Sequence, residues 1–97
     1  MSNVAERLHK RRADILRLAA AHGARSVQIF GSLARGEADA HSDVDFLVEM
    51  EPGRSLFDLG GLQMDLKELL DCEVDIVTVA GLRDRIRERV MREAKPL

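Results

Sequence analysis

Two aspartates one residue apart, Asp43 and Asp45, head a short apolar run, Phe46-Leu47-Val48. An earlier apolar run, Val27 to Phe30, stops at Gly31-Ser32, and ten residues lie between Ser32 and Asp43. Each feature has a chemical use. Residues i and i+2 of a strand face the same way, about 6–7 Å apart along the chain, so both carboxylates can reach divalent ions held between them. Glycine lets the backbone pass close to a phosphate because no side chain intervenes. A serine hydroxyl and the free amides of a following helix start then bind phosphate oxygens. A third carboxylate, Asp75, sits in the apolar stretch Val74-Asp75-Ile76-Val77. Carboxylates inside strands are disfavoured and costly when unpaired, and like charges gathered together raise one another's pKa. A hard cation such as Mg²⁺ or Mn²⁺ removes that penalty by taking oxygen ligands.

Positioning these groups requires alternating elements. Residues 3 to 21 carry a helical stripe of Val4, Leu8, Ile15, Leu18 and Ala19, interrupted at Arg11-Arg12 and stopped at Gly23. Val27 to Phe30 reads as a buried strand, Leu33 to Glu37 as a short helix and Ala38 to Ser42 as a polar loop. Val44 to Met50 is a second strand, ended by Glu51-Pro52-Gly53. Ser55 opens a helix whose leucines, from Leu56 to Leu70, recur at helical spacing through Asp71. Gly60-Gly61 within it implies either a bend or a close neighbour. Glu73 to Val79 is a third strand, and Leu82, Ile86 and Val90 stripe a last helix. The alternating order implies a three-stranded sheet covered by helices, in a single domain over residues 1–97.

Gly31-Ser32, the ten-residue interval and Asp43-Val44-Asp45 resemble the signature of the DNA polymerase beta nucleotidyltransferase superfamily. The fuller string GSLARGEADAHSDVDFLV is similar to its short members, the minimal nucleotidyltransferase (MNT) domains. The resemblance covers nearly all of the chain and implies an α+β fold with a mixed sheet. It also implies roles. Gly31 and Ser32 would hold the β- and γ-phosphates of ATP. Asp43 and Asp45 would bind two Mg²⁺ ions, or Mn²⁺ in their place, and Asp75 would share the ion nearer the attacking hydroxyl and help accept its proton. Arg35 falls where these domains carry an arginine: a contact to the triphosphate or the aspartates stands beside a plain surface role. Ser42 either orients a carboxylate or caps the turn. Against this stands a simpler reading, in which Asp43 caps a strand end while Asp45 and Asp75 point to solvent.

The implied activity is Mg²⁺-dependent transfer of AMP from ATP to a protein hydroxyl, the tyrosine of a cognate HEPN-type ribonuclease toxin, by an antitoxin. The alternative is a non-catalytic antitoxin that covers the toxin. A small-molecule transferase of the aminoglycoside-modifying kind ranks behind both, because no second domain is available to bind its acceptor. The chain has no tyrosine, so such an acceptor belongs to another chain.

Composition narrows the classes. Fifteen basic against seventeen acidic residues give a net charge of −2, which argues against a broad nucleic-acid footprint. One cysteine, Cys72, excludes an intramolecular disulfide and a cysteine-based zinc site, and makes a reduced, cytoplasmic setting the default. No apolar run approaches the roughly 18 residues of a membrane span. His41 reads as a solvated loop residue, and His9 and His22 as isolated. Cys72, Met50 and Met64 read as core. The five arginines of the last helix, Arg83, Arg85, Arg87, Arg89 and Arg92, read as a solvated face with pairs Asp84–Arg87 and Glu88–Arg92, with an acidic partner surface as the alternative.

Overall fold

The computed structural model describes residues 4–36 and 43–97. The elements are α1 (Val4–Lys10), α2 (Arg12–Ala21), β1 (Ala24–Phe30), β2 (Val44–Met50), α3 (Leu56–Leu70), β3 (Val74–Thr78), α4 (Asp84–Glu93) and β4 (Lys95–Pro96). They form an α+β fold around a mixed sheet of order β3-β2-β1-β4. β1 runs antiparallel to β2 and to β4, while β2 and β3 are parallel. Among the described residues the sheet therefore has four strands, one more than expected. The extra one is a two-residue pairing of Lys95 and Pro96 with Ile29 and Gln28. Two residues carry no periodicity, and a proline is tolerated only at such an edge.

β2 explains the layering. Val44, Phe46 and Val48 are fully buried in the cluster formed with Val4, Leu8, Ile15, Leu62, Leu66 and Leu70 of the helices. By the two-residue period Asp45, Leu47 and Glu49 face the opposite way. α3 links the parallel strands β2 and β3, and Gln63 Nε2 on it donates to the Val74 carbonyl at 2.7 Å. Its start is a capping box, with the Ser55 hydroxyl accepting from Phe57 N–H and Asp58 accepting from Ser55 N–H. Its end turns on Asp71, at φ 53°, and Arg7 donates to the Leu70 carbonyl at 2.7 Å, satisfying an acceptor that no helical amide reaches.

Several expectations change in detail. The first helix is two, divided at Arg11, where the apolar stripe is interrupted. Residues 31–36 form turns rather than the start of a helix, closed by Arg35 N–H donating to the Gly31 carbonyl at 3.1 Å. The Gly60-Gly61 pair does not break α3. A Cβ at Gly61 would sit 2.9 Å from His22 Cε1, so glycine there makes room for an imidazole. His22 is thus not isolated: its Nε2 lies 2.7 Å from Asp65 Oδ2. Met64 is 71% exposed, not core, while Met50 and Cys72 are half-buried against the core. Ser42 and His41 lie outside the described residues. Among the described residues no helix is long and apolar enough to cross a membrane.

Candidate functional site

The Gly-Ser turn, β2 and β3 meet at one end of the sheet. Phe30 pairs with Asp45 across β1 and β2, and Asp45 pairs with Asp75 across β2 and β3. Val44 N–H donates to the Glu73 carbonyl at 3.0 Å, which levels the starts of the two parallel strands. Lateral partners in a sheet share a face, so Asp45 and Asp75 emerge side by side. Asp43, two residues before Asp45, precedes the strand on the same face.

Gly31 follows Phe30 directly. Its φ is +74°, a left-handed conformation that side chains resist. A Cβ built on it would collide with Asp45 Oδ2. The turn backbone thus lies against the carboxylate, and only glycine fits there. Leu33 and Ala34, just beyond, are buried, which anchors the turn and leaves half-buried Ser32 at the rim.

Charge links the group. The Asp45 carboxyl is pushed above its ordinary value, first by burial, then by the negative charges of Asp75 and Asp43, while the Arg35 guanidinium draws it back down. Asp43 and Asp75 are exposed, and Asp45 is half-buried. Arg35 also pairs with Glu93 of α4 at 3.3 Å, so it stands between that helix and the carboxylates. Among the described residues no three His, Cys, Asp or Glu side chains are gathered into a metal-holding group. The three aspartates share a face, and Asp45 feels the charge of the other two, without the three closing on a point. By donor type they suit a hard divalent cation, and repulsion of this kind is what such an ion relieves.

Arg35's partner Glu93 was missed in the sequence. The pair spans 58 residues, and no local spacing announces it. The same holds for His22 with Asp65, which lies near the start of β1 and so at the other end of the sheet from Gly31.

Comparison with known proteins adds the following. The family model described as nucleotidyltransferase domain matches residues 6–97. The protein adenylyltransferase MntA of Thermococcus cleftensis is 42% identical over 71 residues, covering 73% of this chain and 72% of its own. A candidate protein adenylyltransferase of Methanocaldococcus jannaschii is 42% identical over 73 residues, covering 75% of this chain and 78% of its own. Among solved structures, a candidate minimal nucleotidyltransferase superposes with a TM-score of 0.88 at 50% identity, over 99% of this chain and 97% of that one. A toxin–antitoxin crystal structure with AMP-PNP shares the fold, with a TM-score of 0.75 at 22% identity over 87% of this chain and 69% of that one.

Proposed function

This chain belongs to the nucleotidyltransferase domain family and is an enzyme of its protein adenylyltransferase class; from that premise we propose that it moves AMP from ATP to a tyrosine hydroxyl of a HEPN-type ribonuclease toxin, acting as the antitoxin in the cytoplasm. One juxtaposition supports the reading most. The Gly31 backbone lies against the Asp45 carboxylate, and Asp45 is paired across strands with Asp75. A turn suited to phosphate oxygens and a set of hard oxygen donors therefore adjoin, and a triphosphate needs both.

The roles follow from position. The Ser32 hydroxyl and the turn amides would hold the β- and γ-phosphates, approached closely because residue 31 has no side chain. Asp43, Asp45 and Asp75 would hold two Mg²⁺ ions, for which Mn²⁺ can substitute. Bound there, the ions supply charge neutralisation for the entering and leaving oxygens. Arg35, already balanced between Glu93 and Asp45, would add positive charge beside the phosphates. Exposed Asp75 would accept the proton of the acceptor hydroxyl. The acceptor oxygen bonds to the α-phosphorus, the bond from that phosphorus to the bridging oxygen breaks, and pyrophosphate leaves with the electron pair. Positioning and electrostatics supply most of the rate.

The test is to mix the chain with labelled ATP, Mg²⁺ and a HEPN-type toxin. The partner should gain the mass of AMP, and Asp43→Asn with Asp45→Asn should abolish the gain. Transfer that persists in the double variant removes the site assignment. Neutralisation of the toxin with no mass gain would instead establish a covering, non-catalytic antitoxin.

A further inference from the structure

The chain passes from β3 at one edge of the sheet to β4 at the other through α4. Leu47, on the face turned away from the buried side of β2, is 1% exposed, so that face is covered there, and α4 reaches the site through the Glu93–Arg35 pair. Asp45 shares the face. α4 is seated shallowly. Only Val90 of its ten residues is buried, while Ile86 is 52% and Met91 46% exposed. A helix with so little of its apolar stripe covered offers the rest to another surface.

Its charges point the same way. Arg83, Arg85, Arg87, Arg89 and Arg92 stand against three acids, Asp84, Glu88 and Glu93. Glu93 is already engaged by Arg35 at 3.3 Å and by Arg89 at 3.4 Å. The expected pairs Asp84–Arg87 and Glu88–Arg92 do not form; among the described residues Arg85, Arg87 and Arg92 make no ion pair. Arg85, Arg89 and Arg92 follow the i, i+4, i+7 spacing of one helical stripe, flanked by half-exposed Ile86. Arg89 of the stripe and Arg35, beside the carboxylates, share Glu93 as ion-pair partner.

We propose that this Arg85–Arg89–Arg92 stripe, with Ile86 as apolar anchor, docks an acidic helical segment of the acceptor protein and so delivers its hydroxyl to the site. The proposal deepens the adenylyltransferase reading and rests on it. Charge complementarity selects an acidic partner, and the spacing selects a helix with acids at i, i+4 and i+7. A nucleic acid fits less well, because the whole chain carries −2.

The test uses the full chain and a synthetic helical peptide with glutamates at i, i+4 and i+7 beside one leucine, followed by fluorescence anisotropy. The wild type should bind it, less tightly as salt rises. Arg85→Glu with Arg92→Glu should weaken binding at least tenfold, and a lysine-for-glutamate peptide should recover it. In the transfer assay the same variant should raise the acceptor KM at least tenfold with the ATP KM unchanged. Calorimetric uptake of ATP with Mg²⁺ by the variant, equal to that of the wild type, shows that it is folded. Absence of peptide binding by the wild type, or equal binding by both proteins, overturns the proposal, as does a short single-stranded RNA that displaces the peptide. If the wild type takes up no ATP, the adenylyltransferase reading fails, and the peptide result still stands on its own.

Discussion

The two faces of β2 divide the molecule's labour. One carries Val44, Phe46 and Val48, sealed against α1, α2 and α3 with essentially no exposure. The other carries Asp45, Leu47 and Glu49, of which only Leu47 is buried. On the first face, apolar burial stabilises the fold at about 25 cal/mol per Å². On the second, Asp45 is held half-buried and against neighbouring negative charge, and its burial first, then that charge, costs stability. The difference teaches that a rigid face is what permits a strained one. Seven residues of strand, with a period of two, build core and site from the same backbone.

The sharpest way to break the comparison is at the sealed face. Phe46→Ala should cost about 3–5 kcal/mol, read as a lowered urea midpoint, and transfer should fall only in step with the folded fraction. A smaller cost would mean that this face is not what holds the sheet. On the strained face the signs should oppose. Asp45→Asn should lower AMP transfer by at least ~100-fold yet raise the thermal midpoint of the metal-free protein at neutral pH. The folded carboxyl titrates above the unfolded value of 3.8. Its destabilisation is therefore absent below 3.8, grows as pH rises toward the folded value, and is complete above it. The stabilisation by asparagine should vanish in acid; a variant less stable at pH 7 would contradict the charge argument.

Gly31→Ala tests the junction of the two faces. The left-handed backbone alone costs about 1–2 kcal/mol, and the collision with Asp45 should show as weakened ATP uptake in calorimetry. Ser55→Ala, at the α3 cap, should cost about 1 kcal/mol with no change in ATP uptake. The cap also has a pH signature. Asp58 is held below its ordinary value, mainly by the Ser55 amide it accepts from. Its contribution is present above 3.8 and is lost as pH falls through the lowered folded value, so Asp58→Asn should matter at neutral pH and cease to matter in strong acid. Least of all, Glu93→Gln should change stability by under about 1 kcal/mol, because the Arg35 pair is partly exposed.

Much of this was legible along the chain. β2 spans the residues that alternation assigns, and α3 begins at its Ser55 cap and ends at Asp71, because these signals are local. Gly31, Asp45 and Asp75 could be singled out by type and spacing. Less legible were features that arise from distant residues. β4 adds an edge, Met64 turns outward and His22 finds Asp65. Each depends on what another segment covers, and periodicity says which side a residue takes on its own element without saying whether anything lies against it.

The alternation in β2 and the presence of a Gly-Ser turn followed by three aspartates were settled by the chain alone, since backbone preference and short-range spacing suffice for them. Which strands adjoin was settled only in three dimensions. The pairing of Asp45 with Asp75, the seat of Gly31 against a carboxylate and the Glu93–Arg35 link join residues far apart in the chain. Proximity of that kind is produced by packing the whole domain, and electrostatics between the joined groups begins only once packing has brought them together.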